Sequence, residues 1–113
     1  MKELKAYIRE RRLNEVVRAL RSAGATAVTV VKTVPMGADV EPEYLDVSRA
    51  VPQAHFTPLL KLELVCDDRH VEQYVNIIRD EARTGERGDG VVFVSAIEDA
   101  VRIRNGERGD RAL

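Results

Sequence analysis

The sequence predicts a single α+β domain in which two helices cover one face of a four-stranded antiparallel sheet. Three observations predict it: a length of 113 residues, two apolar stripes at helical spacing, and four short aliphatic runs with strand character. Hydrophobic residues make up 44% of the chain and charged residues 33%, so a core can form without disulfides or metals.

The first predicted elements are a strand and a helix. Residues 4–9 alternate weakly between apolar and polar and form the first strand. The helix begins at Asn14 or at the Arg11-Arg12 step, and Gly24 is expected to cap its C-terminus. Its apolar stripe, at i, i+3, i+4 and i+7, consists of Leu13, Val16, Val17 and Leu20.

A long segment without periodicity separates the second strand from the third. Residues 27–34, rich in Val and Thr, form the second strand, and Pro35 interrupts the pattern. Residues 38–56 then form an acidic loop, predicted to project as an arm between two central strands. Loops of this length in compact domains usually carry function, so the arm is expected to contact a partner or close over a ligand.

The second half of the chain repeats the order strand, helix, strand. Residues 59–66 form the third strand, Asp67 and Asp68 cap the second helix, and residues 91–94 form the fourth strand. The stripe of the second helix consists of Val71, Tyr74, Val75 and Ile78. The β-α-β-β-α-β order is that of a ferredoxin-like sandwich, with the long loop between strands 2 and 3.

Composition argues against several function classes. The net charge of −1 and the 4% of aromatic residues give no basic, base-stacking surface, so no nucleic acid is expected as a partner. Cys66 is the only cysteine, which excludes an intrachain disulfide and a Cys-based zinc site, and its apolar surroundings predict a buried thiol. The chain has no apolar leader and no segment of transmembrane length, which predicts a cytoplasmic protein.

The strongest chemical signal is in the last third of the chain. Gly85, Gly88 and Gly90 precede the fourth strand, and a loop without Cβ atoms lets backbone N–H groups surround an anion. Arg102 and Arg104 are two residues apart, so on an extended segment both guanidinium groups face one side and the aliphatic neighbours face apolar contacts on the other. The pattern predicts a phosphate or polyphosphate site. A plain turn followed by a half-exposed edge strand is the alternative interpretation.

These motifs resemble those of the P-II signal-transduction family of nitrogen regulators. Residues 84–94 resemble the B-loop signature of that family, and residues 102–107 resemble its C-terminal Arg-Ile-Arg-Thr-Gly-Glu; residues 62–65 and 28–30 also match. The resemblance runs in colinear order over nearly the whole chain, apart from the central loop. It implies a regulator and not an enzyme: a homotrimer that binds ATP, ADP or AMP as effectors in clefts between subunits.

The resemblance also implies how each segment takes part. Residues 38–56 correspond to the T-loop that contacts the target protein, residues 84–90 to the phosphate loop, and residues 101–113 to the C-terminal loop. Backbone N–H groups of the phosphate loop would surround the phosphates, the two C-terminal arginines would add positive charge, and residues of the sheet would line the adenine. The nucleotide-binding residues implied in this way are Thr29, Gly37, Glu63, Val65, Arg87, Gly88, Asp89, Gly90, Arg102 and Arg104.

The sequence also departs from the family pattern. Val91 stands where members carry Lys or Arg after Gly-Asp-Gly, so one cationic contact to the terminal phosphates is missing, and ADP or AMP is expected to bind as well as ATP or better. Leu59 follows Pro58 where classical members have a lysine that serves 2-oxoglutarate. Classical 2-oxoglutarate sensing is therefore not expected, and neither is a metal site or modification of the loop at Tyr44.

Other functions remain open at this point. The target of a regulator would be a membrane transporter or an enzyme of nitrogen or carbon metabolism. The alternative is a metal-binding or metal-tolerance trimer of related fold, in which carboxylates of the acidic loop and His55 would supply ligands. Those carboxylates lack a ligand spacing, which favours a solvated loop. No nucleophile–base arrangement supports an enzyme.

Overall fold

The computed structural model describes residues 1–33 and 59–113. The predicted arm at 38–56, its root at Gly37 and His55 lie outside the described residues. The described elements are β1 (Lys2–Arg9), α1 (Leu13–Ser22), β2 (Thr29–Lys32), β3 (Leu59–Cys66), α2 (Val71–Ala82) and β4 (Val91–Ala96). Their order confirms the predicted α+β class with a ferredoxin-like arrangement. Short 3₁₀ turns at Glu10–Arg12 and Asp68–His70 lead into the two helices.

The four strands pair antiparallel in the order β2-β3-β1-β4. Leu4 of β1 lies opposite Leu64 of β3 on one side and Val94 of β4 on the other, which sets the register of the centre of the sheet. The expectation that β2 is a central strand was wrong, because β1 takes the position beside β3 and leaves β2 at the edge. The segment after β2 therefore leaves from an edge of the sheet.

Alternate residues of the two central strands build the core. Side chains of period two on β1 and β3 face the helices, and the predicted helical stripes pack against them. The most deeply buried side chains are Leu4, Ile8, Val16, Leu20, Leu62 and Ile78. Cys66 is buried as predicted, and this burial raises the pKa of its thiol. The core therefore accounts for the alternating buried residues of β1 and β3 and for most of the two helical stripes.

Both helix boundaries follow local chemistry. Gly24 adopts φ +102° directly after α1, where its N–H donates to the carbonyl of Arg21 and the N–H of Ala25 donates to the carbonyl of Leu20, each at 3.0 Å. This pattern is a Schellman C-cap, which favours glycine. Before α2, the Asp67 carboxylate accepts from the backbone N–H of His70 at 3.2 Å, as the capping prediction requires.

The face of the sheet opposite the helices, here called the outer face, carries a mixed surface. It consists of Thr29, Val31, Glu3, Lys5, Tyr7, Lys61, Glu63, Val65, Val91, Phe93 and Ser95, as the strand registers require. Phe93 is 56% exposed and meets Tyr7 edge to face, with ring centroids 6.3 Å apart. No helix within residues 1–33 and 59–113 covers this face. Aliphatic and aromatic groups on it are thus left for another surface to bury.

Candidate functional site

The glycine loop at residues 84–90 connects α2 to β4 and bends sharply. Gly85, Gly88 and Gly90 have φ of +87°, +95° and +100°, whereas Asp89 between the last two has a negative φ. Alternation of the sign of φ turns successive N–H groups toward one side, which is the geometry of an anion-binding nest. The glycine loop is therefore present, with positive φ at each of its three glycines, and its binding of phosphate stays a prediction.

Gly90 brings the loop into direct contact with the sheet. A Cβ atom at this position would lie 1.7 Å from the carbonyl oxygen of Tyr7, whose pairing with Val91 is the last of the β1–β4 ladder. Since neither backbone can move without breaking the β1–β4 ladder, only glycine fits. The start of β4, and with it the end of the loop, is fixed by this contact.

The carboxylate of Asp89 points into the loop itself. It accepts from the backbone N–H groups of Thr84 and Gly85 at 2.9 Å each, from the Thr84 hydroxyl, and from Arg9 Nε at 3.0 Å. These donors, the Thr84 hydroxyl first among them, hold the pKa of Asp89 well below its ordinary value. The Asp89 carboxylate is already hydrogen-bonded to donors of the loop and to Arg9. An anion bound at the loop would therefore meet the backbone N–H of Asp89 and not the carboxylate.

Arg9 lies beneath the loop and was missed by the sequence analysis. Its Nη2 donates to the carbonyl of Arg87 at 2.7 Å, and its side chain forms an ion pair with Asp89. The residue is only 8% exposed. The sequence motif includes Thr84 but did not indicate that Thr84 donates hydrogen bonds to Asp89. The sequence holds no local signal for Arg9, since its partner Asp89 is 80 positions away.

The predicted extended segment around Arg102 was wrong. Residues 103–105 form a turn, closed by hydrogen bonds between the Gly106 N–H and the Arg102 carbonyl and between the Arg102 N–H and the Glu107 carbonyl, each at 2.8 Å. Ile103, expected in apolar contacts, is fully exposed at the tip of this turn. The side chain of Arg102 donates to the main-chain oxygen of Leu113 at 3.0 Å, while Arg104 is exposed on the turn.

The residues predicted to line the adenine lie on and beside the outer face. Thr29 of β2 is paired directly with Glu63 of β3, and Val65 is on the same side of β3. Lys61 holds the Glu63 carboxylate at 2.9 Å and thereby lowers its pKa. A cavity of about 180 Å³ opens at this end of β3; its lining includes Ala27, Val65, Cys66, His70 and Leu113.

In one chain these residues form two separate half-sites. The first is the phosphate loop, Arg87–Gly90, at the start of β4. The second consists of Thr29, Glu63 and Val65, which lie on β2 and β3 and are separated from β4 by β1, and of Arg102, which donates to Leu113 beside the cavity. Cys66, which lines the cavity with Leu113, is paired through Lys2 with Ala96 at the end of β4, whereas the glycine loop precedes Val91 at the start of β4. The Arg102 side chain and the loop therefore lie at opposite ends of this strand.

The described residues contain neither a candidate metal site nor a membrane-spanning helix. Within residues 1–33 and 59–113, no group of three or more His, Cys, Asp and Glu side chains is placed to hold a metal ion. In the same part of the chain, no helix is both long and apolar enough to cross a membrane.

The fold and the glycine loop define a class: small ferredoxin-like proteins with a glycine-rich loop between the second helix and the last strand. Comparison with known proteins identifies the family. The family model for Nitrogen regulatory protein P-II matches residues 1–107, and the chain belongs to this family. Its members are signalling regulators and not enzymes, and the sequence-based prediction of a regulator is confirmed.

Individual relatives agree with this assignment over the full length. The Nitrogen regulatory protein P-II of Rhodospirillum rubrum is 39% identical over 114 residues, covering 100% of both chains. Nitrogen regulatory protein P-II 2 of Methanothermobacter thermautotrophicus is 36% identical, covering 100% of this chain and 97% of the relative. The crystal structure of Arabidopsis thaliana PII bound to citrate superposes with a TM-score of 0.80 at 34% identity, over 99% of this chain and 91% of that chain.

Proposed function

We propose that this protein is a homotrimeric, cytoplasmic regulator that binds adenine nucleotides between its subunits and controls a target protein through residues 38–56. The nucleotide would be ATP, ADP or AMP. The target would be a membrane transporter or an enzyme of nitrogen or carbon metabolism. Binding of nucleotide would change the arm and so the affinity for the target, which is the simplest coupling for a regulator without catalytic groups.

The observation that carries this proposal is the separation of the two half-sites. The phosphate loop and Arg102 are complementary in chemistry, yet they lie at opposite ends of β4. A second copy of the chain, placed with its Arg102 end against the loop of the first, would complete the site. Such a head-to-tail contact is heterologous, and heterologous contacts form a ring when the rotation between neighbours closes on itself. The number of three subunits rests on family membership.

The outer face supports the same assembly. Val31, Val91 and Phe93 present exposed apolar surface beside the ion pairs Lys61–Glu63 and Lys5–Glu3. Burial of this face between copies would stabilise the ring by removing apolar area from water. The exposed Val101 and Ile103 of the C-terminal turn are further candidates for contact with a neighbour.

Val91 bears on which nucleotide is preferred. The side chain at this position follows the last glycine of the loop and carries no charge, so the terminal phosphate of ATP gains no cationic contact from it. We expect ADP or AMP to bind at least as tightly as ATP. The variant Val91→Lys should shift the preference toward ATP, because it adds one charge-assisted contact.

Isothermal titration calorimetry with ATP, ADP and AMP, each with and without magnesium, tests the proposal. Micromolar binding is expected for the wild type and should be lost in the double variant Arg102→Ala/Arg104→Ala. The matched control is Arg18→Ala/Arg21→Ala, which removes the same charge from the exposed side of α1 and should bind normally. Absence of heat with every nucleotide would refute the nucleotide-sensor proposal.

A further inference from the structure

We infer that Arg9 is a positioning residue for phosphate binding, which holds the loop at 84–90 in its anion-receiving shape from beneath and does not touch the ligand. The inference rests on the proposed function and adds to it a residue that lies outside the glycine motif. Its basis is the position of the Arg9 guanidinium, which is hydrogen-bonded to the loop at both Arg87 and Asp89.

The guanidinium of Arg9 bridges the loop on both sides of Gly88. Nε donates to Asp89 Oδ1 at 3.0 Å, and Nη2 donates to the carbonyl of Arg87 at 2.7 Å. The planar fork fixes the directions of its donors, so these two contacts define the path of the backbone between residues 87 and 89. A Cβ atom at Gly88 would lie only 3.2 Å from Nη2, which means that the loop backbone rests directly on the guanidinium.

Burial makes the loop and Arg9 depend on each other. A guanidinium removed from water is tolerated only when it is paired and hydrogen-bonded, and Arg9 is 8% exposed. In the part of the chain that the structure describes, both of its hydrogen-bond partners belong to the loop. Since Arg9 is the last residue of β1, it connects the loop to a strand that is paired on both sides.

The functional consequence is preorganisation. A loop with three glycines has many accessible conformations. If the ligand had to order the loop on binding, the entropic cost of that ordering would reduce its affinity. Arg9 and Asp89 together hold the loop in one conformation before any phosphate arrives. Loss of Arg9 should therefore weaken binding of the phosphate groups specifically, while the adenine side at Val65 is unaffected.

The test compares Arg9→Gln and Arg9→Lys with the control Arg12→Gln. Arg12 makes the same kind of bond, from Nε to the carbonyl of Glu81 at 2.7 Å, but its partner belongs to α2 and not to the loop. Calorimetry is performed with ADP and with adenosine, which lacks phosphates. We expect Arg9→Gln to bind ADP about tenfold more weakly and adenosine as the wild type does. Arg9→Lys, which keeps the charge without the planar fork, should bind ADP with an affinity between those of Arg9→Gln and the wild type.

A second readout does not depend on any ligand. In the ligand-free protein, the amides of Thr84 and Gly85 are bonded to Asp89, and they should exchange with solvent faster in Arg9→Gln than in the wild type or in Arg12→Gln. If Arg9→Gln fails to fold, the same comparisons are made with Arg9→Lys.

Three results would overturn the inference: unchanged ADP affinity, an equal loss of ADP and adenosine affinity, or unchanged amide exchange in the Arg9 variants. The two proposals can fail separately. If the wild type binds no nucleotide, the proposed function fails and the phosphate-binding role of Arg9 fails with it. If the wild type binds nucleotide and the Arg9 variants match it, the proposed function stands and only the role of Arg9 is refuted.

Discussion

The carboxylate of Asp89 neutralises Arg9 and collects the N–H groups of Thr84 and Gly85 inside its own loop. A phosphate at this loop would therefore bind through backbone N–H groups around Gly88 and Gly90, and not through a side-chain carboxylate, which would repel it. In this arrangement Asp89 has the role of an internal anion that shapes the loop from within.

The lowered pKa of Asp89 gives a prediction for stability against pH. Because the folded-state pKa lies below its ordinary value of 3.8, the stabilisation is present above the ordinary value and is lost progressively as the pH falls from there through the lower folded-state pKa. The free energy of unfolding, measured by urea denaturation from about pH 7 to about pH 3, should therefore decrease less steeply in Asp89→Asn than in the wild type. The surface control Asp110→Asn should follow the wild type. If the free energy of unfolding changes with pH equally steeply in Asp89→Asn and the wild type, the Asp89 carboxylate is not the source of this stabilisation.

At the scale of elements, Gly90 determines how closely β4 can pair with β1. Both Gly90 and Gly106 have positive φ, but only at Gly90 would a Cβ atom strike backbone, at 1.7 Å from the Tyr7 oxygen; at Gly106 nothing lies within 4 Å. Gly106→Ala should cost about 1 kcal/mol, the price of a left-handed conformation alone. Gly90→Ala should cost more than about 3 kcal/mol or prevent folding. Urea denaturation of the two variants makes the comparison, and equal losses would show that the strand contact is unimportant.

The elements that the sequence predicted correctly are those with local signals. The stripe of α1, the Gly24 cap and the limits of β3 depend on residues within one or two turns or strands, so periodicity and capping chemistry were sufficient. The position of β2 at the edge could not be obtained in this way, because strand order depends on pairing between distant segments. The turn at 103–105 was missed although Gly106 closes it, since alternating Arg and aliphatic residues also fit a strand.

The candidate site was predictable to the same extent. The glycine loop is a local motif, and its backbone geometry is as expected. The bond from Arg9 to Asp89 joins residues 80 positions apart, so no spacing in the sequence could indicate it. The separation of the loop from Arg102 was equally hidden, because it follows from the length and direction of β4. Gly37 lies outside the described residues, and its predicted role stays a prediction.

At the scale of the whole molecule, the proposed site is a property of the assembly and not of one chain. In the proposed ring, one chain would supply the phosphate loop, at one end of β4, and the neighbouring chain would supply Arg102, whose side chain lies at the other end. Binding would therefore require association, and association would in turn be favoured by nucleotide, since a ligand shared between subunits stabilises the ring by mass action. This linkage distinguishes a shared site from one contained in each subunit.

Mixing two defective variants tests that arrangement directly. Gly88→Ala damages only the phosphate loop, where the added Cβ would lie 3.2 Å from Arg9, and Arg102→Ala/Arg104→Ala damages only the C-terminal half-site. Each variant alone should bind no nucleotide. Rings co-expressed from both, with different tags and purified through both, should regain binding wherever an intact loop meets an intact Arg102, which in a ring of three that contains both variants is about one interface in three. Calorimetric stoichiometry measures the recovered fraction.

The control mixes the separately purified variants without subunit exchange and should stay inactive. If the mixed rings bind nothing while the wild type binds, both half-sites act within one chain, and the head-to-tail site is refuted.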